Sequence, residues 1–143
     1  MTPNPAIAPV DSASTPAAPD PVRSPGRHLI QQRLGAARPR DLLARATHTG
    51  NPALAPIAAQ LTDTAARLDA TADTLARHLT TLRNYADRLA AGARVTPCFA
   101  SAAMTTLGAE IDLCLHRQDL LREQLHAQID TYTHLDNATA TRR

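Results

Sequence analysis

The side chains of this 143-residue sequence that could ligate a metal, attack a carbonyl or move a proton are two cysteines, six histidines and thirteen carboxylates. Their spacing does little to gather them. His28, His48, His78, His116, His126 and His134 include no two that are three or four residues apart, the separation that places two ligands on one helical face. Cys98 and Cys114 are sixteen residues apart, which on a single helix is about 24 Å. A disulfide needs Cα atoms within about 7 Å, so no intrachain bond is expected. Two isolated thiols suit a reducing compartment. Cys114 falls on a core position and reads as a buried structural thiol, while Cys98 is more exposed and has no histidine near it in sequence. Asp119 and Glu123 share a helical face, as do Asp69 and Asp73; with no ligand partners they read as solvated like-charge pairs. Ser101 lacks a nucleophile-elbow context, and Gly26, Gly35, Gly50, Gly92 and Gly108 make no phosphate loop. The expectation is a protein that is not an enzyme, with no catalytic residue, no metal site, no cofactor and no small-molecule substrate.

The elements that carry these residues are helical. The chain has no Trp, one Phe and two Tyr, too little aromatic bulk for a deep globular core. Ala and Leu dominate, and both favour helix. All fifteen basic residues are Arg, which with the abundant Ala, Thr and Pro suggests a GC-rich, actinobacterial type of genome. No run approaches eighteen apolar residues, so no membrane span is expected. The N-terminus shows no charged segment followed by an apolar one, so no ordinary signal peptide is expected either.

Residues 1–24 form a Pro/Ala-rich stretch that reads as a disordered arm. Residues 25–50 form a short basic helical segment. In it "SPGRHLIQQRLG" offers Ser24 as a cap, Pro25 at the first helical position and Gly35 as a left-handed stop. "RPRDLLARATHTG" offers a second helix from Pro39, ending near Gly50. Each is too short to be stable alone and must dock on something or stay mobile. From residue 51 Leu54, Leu61, Leu68, Leu75, Leu82 and Leu89 recur every seven residues, alternating with Ala58, Ala65, Ala72, Leu79 and Ala86. That is a coiled-coil pattern. Asp63 with Arg67, and Asp73 with Arg77, are favourable pairs on its outer face. "GARVTP" interrupts it, with Thr96 as cap and Pro97 opening a second helix. There Met104, Ile111, Gln118, Leu125 and Tyr132 alternate with Leu107, Cys114, Leu121, Gln128 and Leu135. Leu113 and Leu120 widen this apolar face, which suggests contact with more than one helix.

The fold class expected is therefore all-α: an antiparallel two-helix coiled-coil hairpin over residues 51–137, with helices about 52–91 and 97–136, preceded by the arm and two short helices. Residues 138–143 read as a disordered tail. The predicted interaction face is Leu54, Leu61, Leu68, Leu75, Leu82, Leu89, Leu113, Leu120, Leu121 and Leu125, and the partner is the chain itself or another helical protein.

Charge is uneven. Residues 21–50 carry Arg23, Arg27, Arg33, Arg38, Arg40 and Arg45 against Asp41 alone. Such a cluster could neutralise phosphates, giving a DNA-associated accessory protein, for example one of a mobile element, as one alternative. Docking of the two short helices on acidic flanks of the hairpin is the other reading of the same arginines. One further element stands at the end of the second helix, "YTHLD", with Tyr132 and Asp136 four residues apart. With the helical hairpin and the phrase "AARLDATADTLARHL" (65–79), it resembles the WXG100/ESX helical-hairpin proteins of actinobacterial type VII secretion, including the EspC-like group. The resemblance covers about residues 51–137. "GAR" (92–94) stands where that family has Trp-x-Gly, and fifty residues precede the first helix. The resemblance implies a secretion substrate or partner, with Tyr132 and Asp136 as the signal and signal-peptide-independent export in place of a cytoplasmic location.

Overall fold

The structure, a computed structural model, describes residues 20–36, 38–94 and 97–141, with backbone alone at residues 39 and 97–100. Among the described residues the fold is all-α, with four helices and no strand: α1 (Pro25–Leu34), α2 (Pro39–His48), α3 (Leu54–Ala90) and α4 (Pro97–Ala140). The arm expected over 1–24 falls almost wholly outside the described residues. The described chain begins with a turn in which Asp20 Oδ1 accepts the Val22 N–H at 2.8 Å and the Asp20 carbonyl accepts the Ser24 N–H at 2.7 Å.

Local chemistry sets most helix ends. Pro25 and Pro39 open α1 and α2 at positions where a missing N–H costs nothing. Gly35 (φ 65°) closes α1 by donating to the Gln31 carbonyl at 2.9 Å. Gly92 (φ 83°) closes α3 in a Schellman arrangement, with Gly92 N–H on Leu89 O and Ala93 N–H on Arg88 O. Both ends agree with the sequence reading. The start of α3 is less expected. It begins at Leu54, with Pro56 tolerated in the first turn. Asn51 prepares it by accepting the Ala53 N–H at 3.0 Å. The outer-face pairs differ too. Arg77 donates to Thr74 Oγ1 at 2.9 Å, and neither Asp63 with Arg67 nor Asp73 with Arg77 forms an ion pair. For Arg77, an acceptor three residues back on the same helix face is within easier reach than the Asp73 carboxylate.

The last helix runs further than the sequence suggests. α4 continues to Ala140, so part of the expected tail at 138–143 is helical, and Asp136 lies one turn inside the helix. Asn51 Nδ2 donates to Thr139 Oγ1 at 2.9 Å and so fastens this last turn to the start of α3. Further along, His78 of α3 lies 3.4 Å from Glu110 of α4. Residue numbers rise along α3 as they fall along α4, so the two helices pack antiparallel.

The core is lopsided. Leu54, Ala58, Leu61, Ala65 and Leu68 of α3 are buried in one cluster with Leu121, Leu125, Ile129 and Tyr132 of α4, and Ala72 is buried as well. Ile30 and Ala36 with Leu42 and Ala46, from α1 and α2 and the turn between them, close over the same region. Over residues 73–94 and 101–117, no described side chain is fully buried. Two helices alone leave the flanks of their shared seam open, and only a third layer removes those flanks from water. α1 and α2 supply that layer at one end, called here the base. The other end, which carries the α3–α4 turn, is the tip.

Candidate interaction face

At the base, one carboxylate does what the sequence assigned to a hydroxyl. Ser24 occupies the cap position of α1 but makes no side-chain capping bond. Instead Asp69 Oδ1, from α3, accepts the Gly26 N–H at 2.7 Å. Asp69 Oδ2 accepts Arg27 Nε at 2.9 Å, and Arg27 also donates to Ser24 Oγ at 3.0 Å. Asp69 is therefore no solvated partner of Asp73: it is buried, and it caps α1 across 43 residues of sequence. Negative charge at a helix N-terminus is favourable, and orphan N–H groups there need an acceptor. Gly26 makes the approach feasible. A Cβ on Gly26 would run into Ala65 O and lie 2.7 Å from the Ala65 Cα.

The arginines of residues 23–45 are divided. Arg27 is bound to Asp69, and Arg33 reaches Asp130 of α4 at 3.4 Å. Arg45 Nη1 donates to the Leu34 carbonyl at 2.8 Å, which satisfies one of the last acceptors of α1. Arg23, Arg38 and Arg40 are exposed. Of the predicted phosphate-binding set, Arg27 and Arg33 thus meet acids of the hairpin, and Arg45 joins α2 to α1.

Tyr132 is fully buried in the base, at 1% exposure, among residues that include Leu125 and Ile129. Its hydroxyl is buried without a hydrogen-bond partner. Burial holds the phenol pKa above its ordinary 10.0, Asp136 pushes it further up, and Arg45 pulls it down. Asp136 is half-buried and borders a small cavity with Thr49, Thr139 and Ala140. Of the two proposed signal residues, Asp136 alone is within reach of a receptor while the protein is folded.

The raised pKa has a consequence for stability. Well below pH 10 both the folded and unfolded chains keep the phenol neutral. Above 10 the unfolded chain ionises first, so the folded state loses stability until the pH passes its own higher pKa. Tyr132→Phe removes an unpaired buried hydroxyl, so we expect it to stabilise the protein by about 1 kcal/mol at pH 7. The gain should widen above pH 10, read from urea melts at both pH values. A loss of stability at pH 7 would mean that the hydroxyl has a partner.

The predicted interaction face divides between base and tip. Leu54, Leu61, Leu68, Leu121 and Leu125 are buried in the base. Leu75 and Leu82 are half-buried. Leu89 is exposed, as are Leu113 (65%) and Leu120 (54%). Leu79 and Met104, which the heptad pattern placed on the seam, and Leu115, which it did not, are exposed as well. Ile129 is a buried residue that the two-helix pattern left out; it belongs to the one core cluster that also holds Ile30 and Leu42 of the added layer. Cys114 is a free thiol and only half-buried, not a sealed core residue. It lines an open groove of about 290 Å³ together with Arg67, Thr71 and Thr74 of α3 and Leu113 and Arg117 of α4. Cys98 lies outside the described side chains. Among the described residues, no three His, Cys, Asp or Glu side chains gather as a metal site, and no helix is long and apolar enough to cross a membrane. The tip is therefore a surface of exposed leucines with one basic groove along its flank. In comparisons with known proteins, no family model matches the chain, no curated protein is similar to it, and no solved structure resembles it.

Proposed function

We propose that this chain is a non-enzymatic helical binding protein in which the base is a clamp and the tip is the working surface. The observation that carries this reading is the distribution of exposed leucines. Leu79, Leu89, Leu113 and Leu115 all lie in the half of the hairpin that α1 and α2 leave uncovered, and Leu120 is exposed just beyond it on the outer face of α4. Large apolar side chains left exposed together in one half of a fold suit a place where something else packs. The heptad spacing of α3 suits a helical partner, joined to α3 and α4 in coiled-coil fashion, which is either a further copy or a different protein. Nucleic-acid contact and type VII export rest on fewer free residues: Arg23, Arg38 and Arg40 for the first, Asp136 for the second.

Site-specific photo-crosslinking in the native host tests this. A photoreactive residue at Leu79 or Leu113 should give defined adducts, and the same residue at Thr47, exposed on the base, should not. Adducts at Thr47 alone, or none at the tip, would sink the proposal.

A further inference from the structure

The apolar surface of the tip has charged borders that say what covers part of it. Leu113 and Leu120 are seven residues apart on α4, two turns along one strip. In helical projection Asp112, Asp119 and Glu123 lie along one edge of that strip. Arg117 lies along the other, and across the groove beyond it is Arg67 of α3. Glu110 shares that basic edge but faces His78 at 3.4 Å. Asp119 pairs with Arg122 of its own helix at a long 3.5 Å and is otherwise largely exposed. α1 does not compete for this strip. It docks on the Ala65 and Asp69 side of α3 and reaches α4 through Arg33 at Asp130, ten residues beyond Leu120, whereas the groove is built on Arg67, Thr71 and Thr74.

A strip with one acidic and one basic edge is complementary to itself in a single orientation. If two copies of α4 pack face to face about a two-fold axis parallel to the helices, opposite edges meet. If the axis runs across them, like edges meet. The parallel arrangement sets Asp112, Asp119 and Glu123 of each copy beside Arg117 and Arg67 of the other. The antiparallel one sets acid against acid, which is unfavourable.

We propose, resting on the binding role argued above, that the occupant of this flank is a second copy of the chain, paired parallel through Leu113 and Leu120. The interface is isologous, with each leucine meeting its own counterpart. It is short, at the low end of specific interface areas, so the dimer forms and dissociates with concentration.

Sedimentation velocity on the full chain over a roughly hundredfold concentration range should show a monomer–dimer equilibrium. Leu113→Ser with Leu120→Ser should leave a monomer whose helical circular dichroism and melting are unchanged, since both side chains are exposed. Arg117→Glu should weaken association about tenfold, a change of the size expected for a charge pair facing its opposite. Orientation is read by disulfide trapping with Cys98→Ser and Cys114→Ser in place. Leu113→Cys and Leu120→Cys should each give linked dimers when tested singly. Trapping at neither position or at only one, or a dimer that survives both serine changes, would overturn the proposal. A chain that stays monomeric yet yields tip adducts with another protein removes the second copy and keeps the binding role. A chain with neither dimers nor adducts removes both.

Discussion

Leu68→Ala should destabilise the protein by about 2–5 kcal/mol, while Leu75→Ala, one heptad further along the same stripe, should cost about 1 kcal/mol. In sequence the two leucines are equivalent. In the structure Leu68 is fully buried, with both flanks of the seam closed, while Leu75 is half-buried. Removing a buried leucine loses its transfer free energy and leaves a cavity that the packed neighbours cannot fill. At Leu75 water already reaches the side chain, so there is less to lose and no sealed void to leave. Urea unfolding followed by far-ultraviolet circular dichroism measures both variants on one scale. Equal losses would mean that the hairpin is uniformly packed and that α1 and α2 add no cover.

Gly26→Ala should be almost as damaging, at about 2–3 kcal/mol, although it adds only a methyl group. The atoms in its way are the Ala65 Cα at 2.7 Å and the Ala65 carbonyl carbon at 2.8 Å, both backbone, so no side chain can swing aside. α1 must lift from α3, and as it lifts, Asp69 loses the Gly26 N–H that it accepts at 2.7 Å. A buried carboxylate without its donors is costly, so the steric and electrostatic losses arrive together. The matched control is Gly108→Ala. Nothing lies within 4 Å of the Cβ it would add, and it sits in the interior of α4. It should gain about 1 kcal/mol from helix propensity alone. If both glycines respond alike in thermal melts, the close approach of α1 to Ala65 is not real.

These two cases show how far the sequence could be read. Whatever depends on neighbours in the chain was legible: the openings at Pro25, Pro39 and Pro97, the stops at Gly35 and Gly92, and the helical periodicity of both long elements. What depends on contacts across the chain was not. The leucine repeat runs unchanged from Leu54 to Leu89, and nothing local tells that the cover ends near Ala72. Asp69 looked like half of a surface pair with Asp73 because its partner, the backbone of Gly26, has no side chain to announce it. Ile129 falls off the two-helix seam and becomes core only when a third layer exists. The end of α4 was set too early because the apolar repeat stops at Leu135, whereas the turn beyond it is held through Thr139 by Asn51, just before the start of α3. At the candidate site, Leu113 and Leu120 were recognised as surplus apolar residues, but the basic edge at Arg67 appears only when α3 is laid beside α4.

The uneven cover along the hairpin also governs the order in which the molecule can assemble. A helical hairpin with uniform packing can begin at its turn and zip, since contacts beside the turn close the shortest loops. Here those contacts bury the least, and the contacts that bury the most, around Leu61 and Leu125, enclose 63 intervening residues. Closing that loop costs about 1 kcal/mol more than closing one of some fifteen residues next to Gly92. The rate-limiting step should then be capture of the end of α4 by the base, with the turn region ordering afterwards. Substitutions at Leu61 or Leu125 should slow refolding, and those at Leu82 should mainly speed unfolding.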